Sequence, residues 1–295
     1  MPKISIFGGG AWGRALHFAF RERNSAFIVS RKNLDSSIQI TQEEAQDSDY
    51  FVVAIASSAL HLWLNSNPLP KNSKILVASK GIANGQFVSE IFESFYPSAN
   101  LSYLAGPSFA KEVENGLPCA LNIHSNSMDL TKEWCNLFPS FIKPYVSLDV
   151  IGGEIGGAYK NVIAIASGIC EGLNLGNNAR ASLIARGLVE MTRFGKFFGA
   201  QDSTFLGLSG AGDLFLTANS NLSRNFRVGL YLAQGKALKN ILETLGEVAE
   251  GVKTSQEIYK LANKHNIYTP IAKEVALIIE GKNPQQSLFD LMQSQ

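Results

Sequence analysis

The stretch ISIFGGGAWGRAL, residues 4–16, decides the fold of the first half of the chain. A short apolar run typical of a buried strand leads into Gly8, Gly10 and Gly13, spaced as G-x-G-x-x-G, and a helical pattern follows. In this context the first glycine makes a tight turn, the second lets a pyrophosphate approach backbone N–H groups, and the third lets the helix pack closely on the strand. The stretch therefore predicts a dinucleotide-binding turn. An ordinary turn between a strand and a helix is the alternative.

Around this stretch, the first half of the chain alternates apolar strands with helical segments. An amphipathic pattern predicts a helix from Trp12 to about Arg23. Short apolar runs predict strands at residues 4–7, 26–29, 50–56, 74–79 and 101–105. Nearly continuous apolar strands separated by helices are typical of a parallel sheet that is covered on both faces.

The pattern changes near residue 149, and helical periods dominate from there on. These periods predict helices at 152–172, 179–198, 227–234, 255–265 and 270–280. We therefore predict the α/β class, with an N-terminal Rossmann-like dinucleotide-binding domain at 1–148 and a C-terminal all-helical substrate and catalytic domain at 149–295. A length of 295 residues exceeds the usual size of a single core, which agrees with two domains.

The overall composition excludes several classes of protein. Hydrophobic residues make up 45% of the chain and charged residues 17%, which favours a packed core over disorder. The net charge is +1 and no long block of lysine or arginine occurs, so the electrostatic footprint of a nucleic-acid-binding protein is missing. No apolar stretch reaches the ~18 residues of a membrane span, and the first residues do not resemble a signal peptide.

Cysteines and histidines give no sign of a metal site. Cys119, Cys135 and Cys170 are odd in number and have no CxxC spacing, which suits reduced thiols in a cytosol. The four histidines are scattered singly along the chain. We therefore expect a cytoplasmic protein with no metal, no nucleic-acid partner and no membrane span.

The residues that end the second predicted strand bear on the choice of cofactor. An acid at this place binds the ribose 2′-OH of NAD, whereas a cation suits the 2′-phosphate of NADP. The chain has Arg31 and Lys32 here, and Asp35 follows only later in the loop. The pattern predicts NADP as the preferred cofactor, with NAD also used. A solvated basic turn is the alternative.

A second stretch, GGEIGGAYKNVIAIASG at residues 152–168, places Lys160 among small and apolar residues. On a helix Lys160 shares a stripe with Gly153 and Gly156 rather than the apolar face. Interior glycines cost a helix roughly 0.5–1 kcal/mol each relative to alanine, so their presence suggests that something approaches closely. Lys160 therefore either faces a ligand in a groove of small residues or reaches water past a helix-packing seam.

In order and spacing, seven motifs resemble the NAD(P)-dependent glycerol-3-phosphate dehydrogenases of bacteria and plastids. The motifs are GGGAWGRAL (8–16), SKGI (79–82), AGPSFAKEV (105–113), GGAYKNVIAIASG (156–168), GLSGAGDLFLT (207–217), SRNFRVG (223–229) and VAEGVKT (248–254). The resemblance covers essentially the whole chain. It implies the interconversion of dihydroxyacetone phosphate and sn-glycerol 3-phosphate with NAD(P)H, a supply of glycerol 3-phosphate for phospholipid synthesis, and a homodimer.

The resemblance also implies a catalytic set of three side chains. Lys160 is implied as the acid/base, because an ammonium group polarises a ketone oxygen and then supplies its proton. Lys80, which follows a predicted strand, is implied to contact both substrate and cofactor. Asp213 lies among apolar and small residues, where a carboxylate needs a partner, and either Lys160 or the substrate hydroxyl would serve.

The remaining contacts carried over from the family fall into two groups. Beside the glycine turn and the loop cations, the residues implied to bind the cofactor are Trp12, Lys80, Ala110, Arg224, Val248 and Glu250. Those implied to bind the substrate are Lys80, Gly106, Ser108, Lys160, Asp213, Ser223, Arg224 and Asn225. A hydroxyl, a guanidinium fork and an amide in succession suit a phosphate, and a polar helix start is the alternative for the last three.

The chain departs from the family pattern at two places, with Ala11 where serine is common and ASSAL, at 56–60, where a proline is common. Both concern cofactor packing. Another dehydrogenase with a Rossmann domain and a helical domain, acting on a hydroxyacid or sugar acid, is the nearest alternative. A non-catalytic NADP-binding sensor is a further one, although such a protein would lose Lys160 or Asp213.

Overall fold

A computed structural model of the chain describes residues 1–246 and 249–293. It divides into two compact units. We call Met1–Lys80 with Gln86–Glu154 unit 1, and Gly81–Gly85 with Ile155–Gln295 unit 2. The predicted change from strands to helices near residue 149 coincides with the start of a long helix at Val150.

Unit 1 is built on a mixed sheet with helices. The strands of the chain are β1 (Lys3–Phe7), β2 (Ser25–Val29), β3 (Tyr50–Val53), β4 (Lys74–Val77), β5 (Ile82–Ala83, in unit 2), β6 (Gln86–Phe87), β7 (Leu101–Ala105), β8 (Cys119–Ser125) and β9 (Ile142–Ser147). The helices of unit 1 are α1 (Ala11–Phe20), α2 (Gln42–Ala45), α3 (Leu60–Ser66), α4 (Val88–Glu93), α5 (Ala110–Glu114) and α6 (Met128–Leu137). The main sheet has the order β2-β1-β3-β4-β7-β8-β9.

The predicted strands are confirmed as β1 to β4 and β7, which pair in parallel. The parallel sheet predicted from these five strands is therefore confirmed, and a strand that was not predicted, β8, extends it by running antiparallel to β7, with His124 opposite Tyr103. The sequence pattern does not indicate β8 and β9 as strands. In β9, which reads IKPYVS at the sheet edge, only Ile142 is buried, so the continuous apolar run of a central strand is missing.

One buried face of helix α1 holds the glycine turn against the core of unit 1. Its buried residues are Gly13, Ala15, Leu16, His17, Ala19 and Phe20. The Phe20 ring lies 4.7 Å from the Phe138 ring and 6.1 Å from the Trp134 ring, measured between centroids. Aromatic packing of this kind anchors the C-terminal end of α1 in the core and so holds the helix that follows the glycine turn.

Unit 2 is helical apart from β5. Its helices are α7 (Val150–Gly172, the first turn of which belongs to unit 1), α8 (Gly176–Phe197), α9 (Asp202–Leu206), α10 (Asp213–Ala218), α11 (Arg224–Ala233), α12 (Leu238–Leu245), α13 (Glu250–His265), α14 (Pro270–Ile279) and α15 (Pro284–Gln293). A π-helical turn, Leu208–Gly212, precedes α10. Among the described residues, we find no helix that combines the length and apolar character of a membrane span.

Glycines allow two helices of unit 2 to pack at very short range. A Cβ atom added to Gly168 of α7 would lie 1.9 Å from the backbone oxygen of Phe226, and one added to Gly229 of α11 would lie 1.9 Å from that of Ile165. Neither position accepts a side chain, so the close approach requires glycine on both helices. This packing holds the N-terminus of α11 beside the helix that carries Lys160.

Candidate active site

The three glycines of the turn between β1 and α1 differ in what surrounds them. Gly8 has φ +125°, and a Cβ there would lie 2.4 Å from the Ala54 oxygen. A Cβ on Gly13 would lie 1.8 Å from the Gly8 oxygen. Gly10 has φ −76° and no atom within 4 Å of an added Cβ. The chain itself thus requires glycine at 8 and 13, whereas Gly10 borders open space, as a turn that a ligand approaches should.

Trp12 and Ala110, two further predicted cofactor contacts, pack against the core of unit 1. Trp12 is the second residue of α1, and Ala110 is the first residue of α5. The indole Nε1 of Trp12 is buried and has no hydrogen-bond partner among the described residues. Since an unsatisfied buried donor typically costs ~1–3 kcal/mol, this N–H fits a site where a polar ligand supplies the acceptor.

The loop after β2 carries the two predicted cofactor-selecting cations. Arg31 and Lys32 are both exposed. The Asp35 carboxylate accepts a hydrogen bond from the Ser37 N–H at 2.9 Å, and this bond holds the pKa of Asp35 below its ordinary value. The acid is therefore engaged within its own loop, and the strand end presents the cations.

Lys80 and Gly106 follow neighbouring parallel strands of unit 1. Lys80 comes three residues after β4 ends at Val77, and Gly106 comes directly after β7. Parallel neighbours end at the same sheet edge, which is where such sheets bind ligands. Gly106 has φ +124°, which a glycine adopts freely, and its carbonyl oxygen accepts a bond from Ser108 Oγ at 3.3 Å.

Lys160 and Asp213 form a buried ion pair in unit 2. The ammonium of Lys160 donates to Asp213 Oδ1, and the two side chains are 9% and 1% exposed. Thr217 adds to the pair, since its hydroxyl donates to the Asp213 backbone oxygen at 2.6 Å and lies 3.4 Å from Oδ1. Lys160 therefore does not reach out to water. Of the two partners predicted for Asp213, Lys160 and the substrate hydroxyl, Lys160 is the one observed in the structure.

The small residues beside Lys160 serve packing within the protein. A Cβ on Gly156 would lie 2.1 Å from the backbone oxygen of Ser209, and one on Gly153 would lie 2.5 Å from the His124 ring. The prediction that something approaches this stripe closely is correct, but what approaches Gly156 is the π-helical turn before α10. That turn brings Asp213 to Lys160, because the aspartate directly follows it.

The three consecutive residues predicted to bind phosphate begin helix α11. Ser223 is its N-cap, and Ser223 Oγ accepts from the Phe226 N–H at 3.2 Å. Asn225 Oδ1 accepts from the Gly251 N–H at 3.1 Å, which leaves the amide NH₂ as its donor. Arg224 is the first helical residue and is partly buried. The polar helix start is thus real, and the hydroxyl of Ser223 and the amide NH₂ of Asn225 are donors of the kind that suit an anion.

Of the two remaining predicted cofactor contacts, the structure describes Glu250. Glu250 is the first residue of α13 and is partly buried. Val248 lies outside the described residues. Next to Glu250, a Cβ on Gly251 would lie 2.6 Å from Asn225 Oδ1 and 3.0 Å from the Asn161 backbone oxygen. The start of α13 is therefore held against α11 and α7.

Sequence reasoning assigned no role to Thr217 or Gly251, although both lie in quoted motifs. The spacing of Thr217, four residues after Asp213, is a signal that places the two on one helix face. No comparable signal exists for Gly251, because its partner Asn225 lies 26 residues away in the sequence.

Comparisons with known proteins agree with this arrangement. Two family models match: the NAD-dependent glycerol-3-phosphate dehydrogenase N-terminus over residues 23–131 and its C-terminus over 149–290. A curated protein of Wolinella succinogenes, named glycerol-3-phosphate dehydrogenase [NAD(P)+], is 60% identical over 98% of both chains. The chain belongs to the NAD-dependent glycerol-3-phosphate dehydrogenase family.

Other members of the glycerol-3-phosphate dehydrogenase family match along their whole length. A Helicobacter hepaticus protein of the same name is 57% identical, covering 99% of this chain and 100% of its own. The crystal structure of glycerol-3-phosphate dehydrogenase from Coxiella burnetii superposes with a TM-score of 0.91 at 29% identity and covers 99% of each chain. The predicted fold class, an N-terminal Rossmann-like domain followed by a helical domain, is therefore confirmed.

Proposed function

We propose that the protein interconverts dihydroxyacetone phosphate and sn-glycerol 3-phosphate with NADPH or NADH, and that it prefers NADPH. The observation that carries this proposal is the buried pair of Lys160 and Asp213, in a chain that belongs to this dehydrogenase family. Most lysines lie at the surface, where they interact with water. A lysine that is buried beside a carboxylate is instead suited to proton transfer.

The residues of unit 1 fit a dinucleotide. Gly10 leaves open space at the N-terminus of α1, where backbone N–H groups suit a pyrophosphate. Trp12 has a buried donor to satisfy, Ala110 begins the adjacent helix, and Arg31 with Lys32 offers cations for a 2′-phosphate. When bound, NADPH or NADH supplies the hydride that reduces the carbonyl carbon.

Lys160 handles the proton of the reaction. In reduction, its ammonium donates a hydrogen bond to the ketone oxygen and transfers the proton as that oxygen gains negative charge. In oxidation, the neutral amine takes the proton from the hydroxyl of glycerol 3-phosphate. Asp213 accepts from Lys160 and keeps its nitrogen aimed at one place, and Thr217 holds the aspartate.

The substrate phosphate is bound by Ser223, Arg224 and Asn225 at the start of α11. The guanidinium group binds a phosphate through two parallel N–H bonds, and the hydroxyl and amide add neutral donors. Lys80, Gly106 and Ser108 are further substrate contacts, and Lys80 is also a cofactor contact. These roles rest on the family motifs.

The activity of a Lys160→Ala variant tests the proposal. We expect reduction of dihydroxyacetone phosphate to fall by ~10²–10⁴-fold, the usual scale for a positioned acid/base, while NADPH binding stays nearly intact. Lys196→Ala, at a lysine whose side chain is 59% exposed and pairs with Asp202, is the matched control and should keep full activity. More than a tenth of wild-type turnover in Lys160→Ala would contradict the assignment.

Because Lys160→Ala leaves the Asp213 charge buried without its cation, folding needs its own control. The double variant Lys160→Ala/Asp213→Ala removes both charges and should unfold at a temperature closer to that of the wild type. If the double variant folds, binds NADPH and is as inactive as the single variant, the loss reflects chemistry rather than unfolding.

The cellular setting and the assembly state complete the proposal. We place the protein in the cytoplasm, where its product feeds phospholipid synthesis, and its three cysteines are free thiols, which suits a reducing compartment. We further propose a homodimer. Sedimentation equilibrium distinguishes a particle of two 32.0 kDa chains from a single chain, and a single chain at micromolar concentration would contradict the dimer.

A further inference from the structure

The segment after the cation-bearing loop is fixed to the edge of the main sheet in unit 1. The Ile28 N–H donates to the Ile38 oxygen at 2.7 Å, and the Ile40 N–H donates to the Ile28 oxygen at 3.0 Å. Gln39, which lies between these two residues, forms a parallel bridge with Ile28 of β2. Because β2 is the edge strand, Gln39 is attached to the sheet itself.

The side chain of Gln39 reaches back across the loop and bonds its backbone three times. Gln39 Oε1 accepts from the Leu34 N–H at 2.7 Å. Gln39 Nε2 donates to the carbonyl oxygens of Ser30 at 2.8 Å and Lys32 at 3.1 Å. Both amide donors are thereby used, and the two bonded carbonyls lie on either side of Arg31.

The opposite side of the same loop rests on the glycine turn. A Cβ on Gly9 would lie 2.4 Å from Ser30 Oγ and 3.3 Å from Leu34 Cδ1. Ser30 Oγ also accepts from the Lys32 N–H at 3.0 Å. Residues 30–34 are therefore held from two sides, by the backbone at Gly9 and by the side chain of Gln39.

We propose that Gln39 sets cofactor preference by positioning the backbone that carries Arg31 and Lys32. This inference rests on the proposed function, in which these cations bind the 2′-phosphate of NADPH. Both cation side chains are exposed, so packing around them does not determine where their charges lie. Because the loop backbone is already fixed before binding, less conformational entropy is lost when the cations bind the 2′-phosphate. NADH lacks that phosphate and gains nothing from the arrangement.

Gln39→Leu, which has similar volume and no hydrogen-bonding group, tests this role. We expect the Kd for NADPH to rise about tenfold and the Kd for NADH to change less than twofold, with kcat unchanged at saturating NADPH. A purely structural role would weaken both cofactors alike. Gln46→Leu is the matched control in the same unit, because Gln46 Nε2 donates to the Pro68 oxygen rather than to the backbone of residues 30–34, and it should leave the ratio of the two Kd values unchanged.

A double-mutant cycle establishes whether Gln39 acts through the cations. In an Arg31→Ala/Lys32→Ala background, Gln39→Leu should no longer change NADPH affinity. An unchanged tenfold loss in that background would overturn the proposal, and so would equal losses for NADPH and NADH in the single variant. If Gln39→Leu does not fold, Gln39→Met replaces it in the same measurements, with the same expected results.

Failure of this inference is distinguishable from failure of the proposed function. A wild-type protein that binds neither cofactor and does not reduce dihydroxyacetone phosphate contradicts the function. A wild-type protein that reduces the substrate and prefers NADPH, while Gln39→Leu weakens NADPH and NADH alike, contradicts the inference alone.

Discussion

At the scale of single residues, the buried Lys160–Asp213 pair is a feature that fold stability alone does not explain. Moving the two charges out of water costs several kcal/mol per ion, which their mutual attraction must offset. A protein with an apolar pair of similar volume in their place is often at least as stable. The protein keeps the pair on two different helices, with Thr217 bound to the aspartate. The proton-transfer role that we propose for the lysine would account for a pair that stability alone does not favour.

Arg224 gives the residue-scale prediction. Arg224→Lys keeps the positive charge and loses bidentate pairing, so it separates geometry from electrostatics. We expect kcat/KM for dihydroxyacetone phosphate to fall about 10- to 100-fold, the effect of losing one charge-assisted hydrogen bond. Activity on unphosphorylated dihydroxyacetone should change much less.

The same Arg224→Lys variant needs a measurement of NADPH affinity, because Arg224 is also a predicted cofactor contact. If both substrates lose activity by the same factor, Arg224 does not read the phosphate. It would then belong to the cofactor site or to the packing of α11.

At the scale of elements, the first turn of α7 carries the partly buried Glu154 and packs against the buried His124, both in unit 1. Glu154 accepts from the Ser89 N–H at 2.7 Å, and the His124 ring packs against Gly153. Burial lowers the pKa of His124 from 6.5 to about 4. Burial, with help from the charges of Glu90 and Glu93, raises the pKa of Glu154 from 4.5 to about 7, and the bonds from Ser89 oppose this shift.

These shifts act on stability in opposite directions. The unfolded chain protonates its histidine below pH 6.5 while the folded chain does so only near pH 4, so the His124 contribution falls as the pH falls through that window. The unfolded chain ionises its glutamate above pH 4.5 while the folded chain does so only near pH 7, so the Glu154 contribution falls as the pH rises. Between about pH 4.5 and 6.5 the two effects oppose each other.

Single substitutions should separate the two effects. Relative to wild type, Glu154→Gln should gain unfolding free energy as the pH rises from 4.5 to 7, by at most about 1.4 kcal/mol per pH unit. His124→Gln should lose unfolding free energy, relative to wild type, as the pH rises from 4 to 6.5. Urea unfolding across this range measures both differences, and variant curves parallel to the wild-type curve would contradict the assignment.

At the scale of the whole molecule, cofactor binding should stabilise unit 1 measurably. All three tryptophans, Trp12, Trp63 and Trp134, lie in unit 1, so their fluorescence reports its unfolding. NADPH at 100 times its Kd should raise the free energy of that transition by about 2.7 kcal/mol, because the ligand binds only the folded state. Urea titrations with and without NADPH measure the shift.

Two glycine variants provide the controls for this shift. Gly10→Ala places its Cβ in open space at an allowed φ of −76°, so unliganded stability should stay within about 0.5 kcal/mol of wild type. At the same NADPH concentration its stabilisation should be strongly reduced. Gly13→Ala places its Cβ 1.8 Å from the Gly8 oxygen and should destabilise the unliganded protein. A full NADPH effect in Gly10→Ala would exclude the glycine turn as the cofactor site.

Much of the fold is readable from the sequence because its signals are local. The glycine turn needs only Gly8, Gly10 and Gly13 in one short stretch, and the central strands show as apolar runs. Strand β9 has no such run, because an edge strand is half exposed and only Ile142 is buried in it. Its place in the sheet depends on pairing with β8 rather than on its own residues.

The sequence by itself determined the family, the fold class, the glycine turn and the residue types of the chemistry. Only the tertiary structure decided which polar groups are partners. Asp213 pairs with a lysine 53 residues away, Gln39 bonds the loop behind it, and Glu190 accepts from Tyr159 and from the Ile271 N–H at the start of α14. The reason is physical: periodicity and turn chemistry depend on neighbours in the chain, whereas a buried polar group must take whichever partner the packing of distant helices and strands brings to it.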